Sequence, residues 1–180
     1  LPEGWKSEGE IIWIPQKQPC AGNNMYFNAQ SADNKFHFNI LPNYAWMWSQ
    51  NPQMNAISQQ QSGQFCGVGE PMDAEHFITQ VWSKEFGPDT QISDLKVSTE
   101  GIQTMGKDDQ KIRSEMMSYG VSNMQFNHSA VSARVKMANG VSGILFCKVT
   151  QTVIQLPNKY NGTLMANISC CFLRKRLVLS

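Results

Sequence analysis

Cys66 and the histidines are the residues from which this chain could build a reaction. Cys66 stands in Gln64-Phe65-Cys66-Gly67, and His76 and His128 are the imidazoles available to it. A cysteine-dependent hydrolase needs a thiolate, an imidazole base within hydrogen-bond reach and an oxyanion donor. The same thiol also reads as an inert loop residue, or as half of a disulfide with Cys20, because both lie in loops rich in Gly and Pro. The remaining cysteines are Cys147, Cys170 and Cys171, and no pair has C-x-x-C spacing. Cys147 lies inside an apolar strand pattern and reads as a small buried hydrophobe. Cys170 and Cys171 are neighbours, so on a strand they point to opposite faces.

The residues do not predict a metal site. His37, His76 and His128 are far apart, and Glu75 beside His76 points another way on a helix. Asp108-Asp109 reads as a solvated helix start, where a negative charge is favourable. His37, between Phe36 and Phe38, is expected on the outer face of a hairpin. Gly67-Val68-Gly69 lacks the strand-before, helix-after setting that cradles a phosphate. No cofactor is expected.

The aromatics offer a second kind of chemistry, which is binding. Tyr44, Trp46 and Trp48 alternate, so on a strand they share one face. One reading packs them in a core against Phe77 and Trp82. The other makes them an aromatic platform at a sheet edge, with Asn43 and Gln50 on its polar rim, for a protein partner or a polar ligand.

Composition excludes several classes. The chain has 180 residues, enough for one domain (1–180) with a real core. Charged residues are 16%, the formal net charge is +1, and Asn, Gln and Ser supply the polarity. Nucleic-acid binding through bulk electrostatics is therefore not expected. The Arg174-Lys175-Arg176 cluster reads as a solvated end. No apolar run approaches the ~20 residues of a membrane span. The opening Leu1-Pro2-Glu3-Gly4-Trp5 has no initiator Met and no signal peptide. It predicts a mature or excised chain with a lipid or signal anchor upstream.

The elements that would position these residues are mostly strands. Residues 10–14 read as a strand ended by Pro15. Residues 24–30 and 35–41 form an antiparallel hairpin about the 31–34 turn, where Asp and Asn bond their own backbone. Pro42-Asn43 bends the chain into a continuation over 44–48. Pro52 opens a short helix through residue 61, or the Gln-rich run there is a surface loop. Residues 72–86 form an amphipathic helix capped by Asp73, with Phe77, Ile78, Val81, Trp82 and Phe86 as its apolar stripe and Gly87-Pro88 as its stop. Residues 91–99 are a strand with a small slip, and 108–119 a helix ended by Gly120. Residues 124–138 and 141–156 flank Asn139-Gly140, a strong hairpin signal. A two-residue turn there sets Val135 opposite Ile144 and Ala133 opposite Phe146, with Val131 and Met137 on the core face. A last strand runs over 163–179.

The order of these parts resembles a known architecture. Pro2-x-Gly4-Trp5 precedes a hairpin whose second strand ends in Leu41-Pro42, then one amphipathic helix and long strands follow. This looks like the PsbP-like α/β sandwich of a photosystem extrinsic protein and of bacterial exported lipoproteins. Trp46-x-Trp48-Ser49 and Pro71-Met72-x-Ala74-Glu75 look like a bacterial exported family of that type. The usual second large helix near the C-terminus has no counterpart here. The resemblance implies an α+β scaffold, an antiparallel sheet with helices packed on one face. It implies an extracytoplasmic setting but no reaction, because that family shares no catalytic set. Gln64-Phe65-Cys66-Gly67 also faintly resembles the Gln…Cys-Gly of papain-like proteases, although the helix and aromatic that follow there are missing. The expected function is thus a non-catalytic extracytoplasmic binding or interaction domain, with a hydrolase using Cys66 and His76 or His128 as the alternative.

Overall fold

A computed structural model of the chain describes residues 1–14, 22–60, 66–85, 89–121, 123–138, 140–155 and 163–175. Cys20, Gly87-Pro88, Asn139 and the 157–162 turn lie outside these, as do the expectations that fall on them. The strands are β1 (Lys6–Ile14), β2 (Gly22–Gln30), β3 (Phe36–Ile40), β4 (Tyr44–Ser49), β5 (Cys66–Val68), β6 (Gln91–Val97), β7 (Asn123–Lys136), β8 (Ser142–Gln155) and β9 (Thr163–Lys175). All belong to one sheet, ordered β1-β2-β3-β9-β8-β7-β6, with β4 pairing β9 and β5 pairing β4. Every pair is antiparallel except β4–β5. The α+β fold with an antiparallel sheet is therefore as the sequence predicts.

The bend between β3 and β4 has a visible cause. The buried Asn24 side chain bonds both backbone groups of Asn43: its Nδ2 donates to the Asn43 carbonyl at 2.7 Å, and its Oδ1 accepts from the Asn43 N–H at 2.6 Å. This clamp turns the chain just after Pro42. As a result β3 pairs with Phe172–Lys175 and neighbours while β4 pairs further along the same strand, from Thr163 to Ile168.

The β2–β3 turn is held by Asp33. Its Oδ1 accepts from Ser31 Oγ at 2.7 Å and from the Lys35 N–H at 3.1 Å, and Lys35 Nζ lies 3.2 Å from Oδ2. Asn34 takes a left-handed φ of 56°. The Ser31 hydroxyl, with the backbone and side chain of Lys35, lowers the Asp33 pKa to about 2 from 3.8. A carboxylate with a depressed folded pKa contributes its stability above its unfolded pKa and loses it as pH falls through the folded one. An acid titration followed by NMR should therefore show the Asp33 carboxyl resonance moving near pH 2, with the 31–35 amides shifting together with it.

The β7–β8 hairpin corrects the expected register. The ladder closes on Met137, whose N–H donates to the Val141 carbonyl at 2.8 Å, and Gly140 has φ of +79°. Three residues therefore separate the paired strands, not two. Val135 therefore lies opposite Gly143, and Ala133 opposite Leu145. Val131, Ala133 and Val135 are buried as expected, but the β8 residues that share their face are Gly143, Leu145, Cys147 and Val149, the last three fully enclosed. Cys147 is a free buried thiol, as its pattern suggests.

Four helical segments lie among the described residues: α1 (Pro52–Gln60), α2 (residues 74–85), α3 (Thr99–Gly106) and α4 (Asp109–Ser118). In α2 the middle, Phe77–Trp82, is a π-helix, with the Ser83 N–H bonded five residues back to the Ile78 carbonyl. Asp73 caps α2 as predicted, accepting from the His76 N–H at 2.8 Å. Its buried Phe77, Ile78 and Trp82 cover Val131, Ala133, Val135, Leu145, Cys147 and Val149, completing the core. The helices occupy both faces rather than one. Ala130 points away from Val131, and α3 comes so close to it that a Cβ on Gly101 would sit 2.9 Å from the Ala130 Cβ. α3 has no counterpart in the sequence reading. Its signal is the Ser98 cap, which accepts from the Gly101 N–H, and the poor helix former Gly101 hides it.

Two smaller readings are settled. β6 carries the expected slip, between Ser93 and Lys96, where Asp94 takes φ of 52°. His37 is buried, not on an outer face. Its strand position pairs it with Gln30 and Arg174, on the side of the sheet that carries Val135.

Candidate functional site

The aromatic residues of β4 are split between core and surface. Trp46 is 3% exposed and its ring stacks on Phe77 at 6.5 Å with an interplanar angle of 18°. Its indole N–H has no hydrogen-bond partner among the described residues. Trp48 is half-buried against the same core. Tyr44 sits at the rim, 6.2 Å from Trp46, with its phenol seated over Gly67, where a Cβ would collide with it. Asn43 and Gln50 are exposed but flank the strand at opposite ends. Seven residues of extended chain hold them roughly 20 Å apart. The structure therefore brings Tyr44 and Trp46 together and keeps Asn43 and Gln50 apart.

Cys66 and His128 lie in one row across the sheet, but far from each other. His128 pairs with Thr150, Thr150 with Asn167, Asn167 with Ala45, and Ala45 with Cys66. Four strand spacings separate them, roughly 19 Å. His128 is instead engaged on both ring nitrogens. Nε2 lies 2.9 and 3.0 Å from the Asp109 carboxylate oxygens, and Nδ1 lies 2.9 Å from Thr150 Oγ1. The ring stacks on Phe126 at 6.1 Å. This group ties the start of α4 to β7 and β8. His76 is exposed, with Nδ1 2.8 Å from Asp73 Oδ1. The two histidines thus serve a helix anchor and a helix cap.

The largest departure from ordinary packing is on the β1–β3 half of the sheet. Ile11 pairs with Met25 and Trp13 with Asn23, so these side chains share a face. Phe27 pairs with Ile40, and Ala29 with Phe38, on that same face. Across β9 that face continues to Ile144 and Arg134, which share parity with Ala130. α3 and α4 cover the Ala130 end, but no element among the described residues covers the other end. Trp13 is 72% exposed and Ile11 60%, with Met25, Phe36 and Ile144 also exposed. Behind them Phe27 and Phe38 pack edge to face, 6.4 Å apart and half-buried. Gly9 belongs to this face. A Cβ there would meet the Tyr26 carbonyl at 2.8 Å and the Phe27 ring at 3.1 Å, so glycine lets Phe27 lie against β1.

Sequence reading missed Ile11 and Met25 as surface residues. Ile11-Ile12-Trp13-Ile14 is a continuous apolar run, so no alternation marks an exposed side. Bare apolar patches of this kind mark interaction sites on soluble chains. No helix among the described residues is long and apolar enough to cross a membrane. No protein-family model matches the chain, and no curated protein and no solved structure matches it.

Proposed function

We propose that this chain is a non-catalytic binding or interaction domain that acts outside the cytoplasm and engages a protein partner through the β1–β3 face. The observation that carries this reading is the exposed apolar surface of Ile11, Trp13, Met25 and Ile144. The setting rests on the low charge of the sequence and on the PsbP-like resemblance, which belongs to this proposal. Tyr44 and its exposed neighbour Asn43 lie beside the buried Trp46, so the β4 aromatics add a rim and not a platform.

Titration of isotope-labelled protein with a panel of extended peptides and a panel of soluble glycans tests the reading. Peptides should move the Trp13 indole and the β1–β3 amides, and glycans should leave them in place. The proposal fails if the face is inert to every peptide, or if the chain turns over ester or amide substrates and loses that turnover in Cys66→Ser.

A further inference from the structure

Resting on that reading, we infer that the partner adds an extended segment to β1 as a further strand, and that this segment sets basic residues opposite Glu8 and Glu10 and apolar residues against the rest of the strand. The two outer strands of the long path differ in how they are protected. β6 carries a register irregularity, a left-handed Asp94 and the Arg134–Asp94 ion pair at 3.0 Å, all of which obstruct pairing with another chain. β1 pairs with β2 over nine consecutive residues without a break, and has no Pro and no Lys after Lys6. Its outer edge therefore presents a regular row of backbone donors and acceptors.

The side chains of β1 define what fits there. Gly9, Ile11 and Trp13 point to the exposed apolar face, and Lys6, Glu8, Glu10, Ile12 and Ile14 to the other. Both glutamates are exposed, and Glu8 accepts the Asn28 amide at 3.2 Å. An added strand thus meets apolar residues on one parity, and on the other parity two carboxylates flanked by Lys6 on one side and by Ile12 and Ile14 on the other. Opposite charges across a strand pair are favourable and like charges are not. A second copy fits poorly. Two-fold antiparallel pairing with full overlap sets Glu10 against its own counterpart, and a shift toward Lys6 sets Glu8 against Glu10. The opposite shift sets Glu8 against Ile14. A segment with basic residues opposite Glu8 and Glu10 and apolar residues opposite Ile12 and Ile14 has none of these conflicts.

The test uses the whole chain and three ten-residue peptides: alternating Lys and Val, alternating Glu and Val, and the Lys-Val peptide with Pro at alternate positions. The Lys-Val peptide should move the Trp13 indole, protect β1 amides from exchange, and bind about tenfold more tightly than the Glu-Val peptide. The Pro-bearing peptide should not bind, because it cannot complete the ladder. The double variant Glu8→Lys, Glu10→Lys should reverse the preference for charge. Peptide binding at this face with no charge preference would overturn this inference and leave the interaction-domain reading standing. Absence of binding by any peptide would overturn both. Binding to phosphatidylglycerol vesicles without peptide binding, or self-association abolished by Ile11→Lys, would also overturn it.

Discussion

Replacing Leu145 with aspartate should unfold the domain, whereas the same change at Ile144 should leave it folded. The two residues are neighbours on β8 and chemically alike, but Leu145 is fully buried and Ile144 is 48% exposed. Leu145 lies opposite Ala133, under the α2 residues Ile78 and Trp82. A carboxylate there has no partner, and burying one unpaired costs several kcal/mol, comparable with a total stability of about 5–15 kcal/mol. Ile144 lies opposite Arg134, which is exposed, so its aspartate stays in water within reach of a cation. The expected cost there is under about 1 kcal/mol. Urea denaturation of both variants decides the matter. The reverse ranking would restore the two-residue Asn139-Gly140 register, in which Ile144 faces the core.

Trp46→Ala should cost about 3–5 kcal/mol, the range for removing a buried aromatic. Trp46 joins the β4–β9 part of the sheet to α2 through its stack on Phe77, so a cavity there loosens both. Trp46→Phe should cost much less, about 1–2 kcal/mol. It keeps a ring against Phe77 and removes an indole N–H that has no partner among the described residues. Denaturation midpoints of the two variants, with unchanged slopes, measure the difference. A near-neutral Trp46→Ala would mean that the residue serves a surface and not the core.

Local chemistry made much of the fold legible. The Asp33-Asn34 turn, the bend at Pro42-Asn43, the Asp73 cap and the slip in β6 stand where the sequence predicts them. Each depends on residues within a few positions of one another, where propensity and side-chain bonding act directly. Helix α3 escaped because Gly101 lowers helix propensity, and its reason for being there is the closeness of Ala130 and Phe146. His37 escaped because its burial is set by strands that arrive from far along the chain.

The candidate surface shows the same division. Trp13 stands out in the sequence as an aromatic, but its exposure follows from β1 being an outer strand. β9, the last strand, lies in the middle of the sheet between β3 and β8 and joins the two hairpins into one layer. Nothing local announces that placement, because any alternating strand can pair with any other.

The sequence by itself determined most of the segments that are strands or helices and where most turns fall, because periodicity and turn chemistry are local properties; α3 and the short β5 were not among them. Only the tertiary structure decided the register of β7 on β8, the central place of β9 and the separation of Cys66 from His128. It also decided which half of the apolar face is left bare. These depend on one-residue shifts and long-range partners: a single step along a strand exchanges its faces, and coverage is a property of what packs against it.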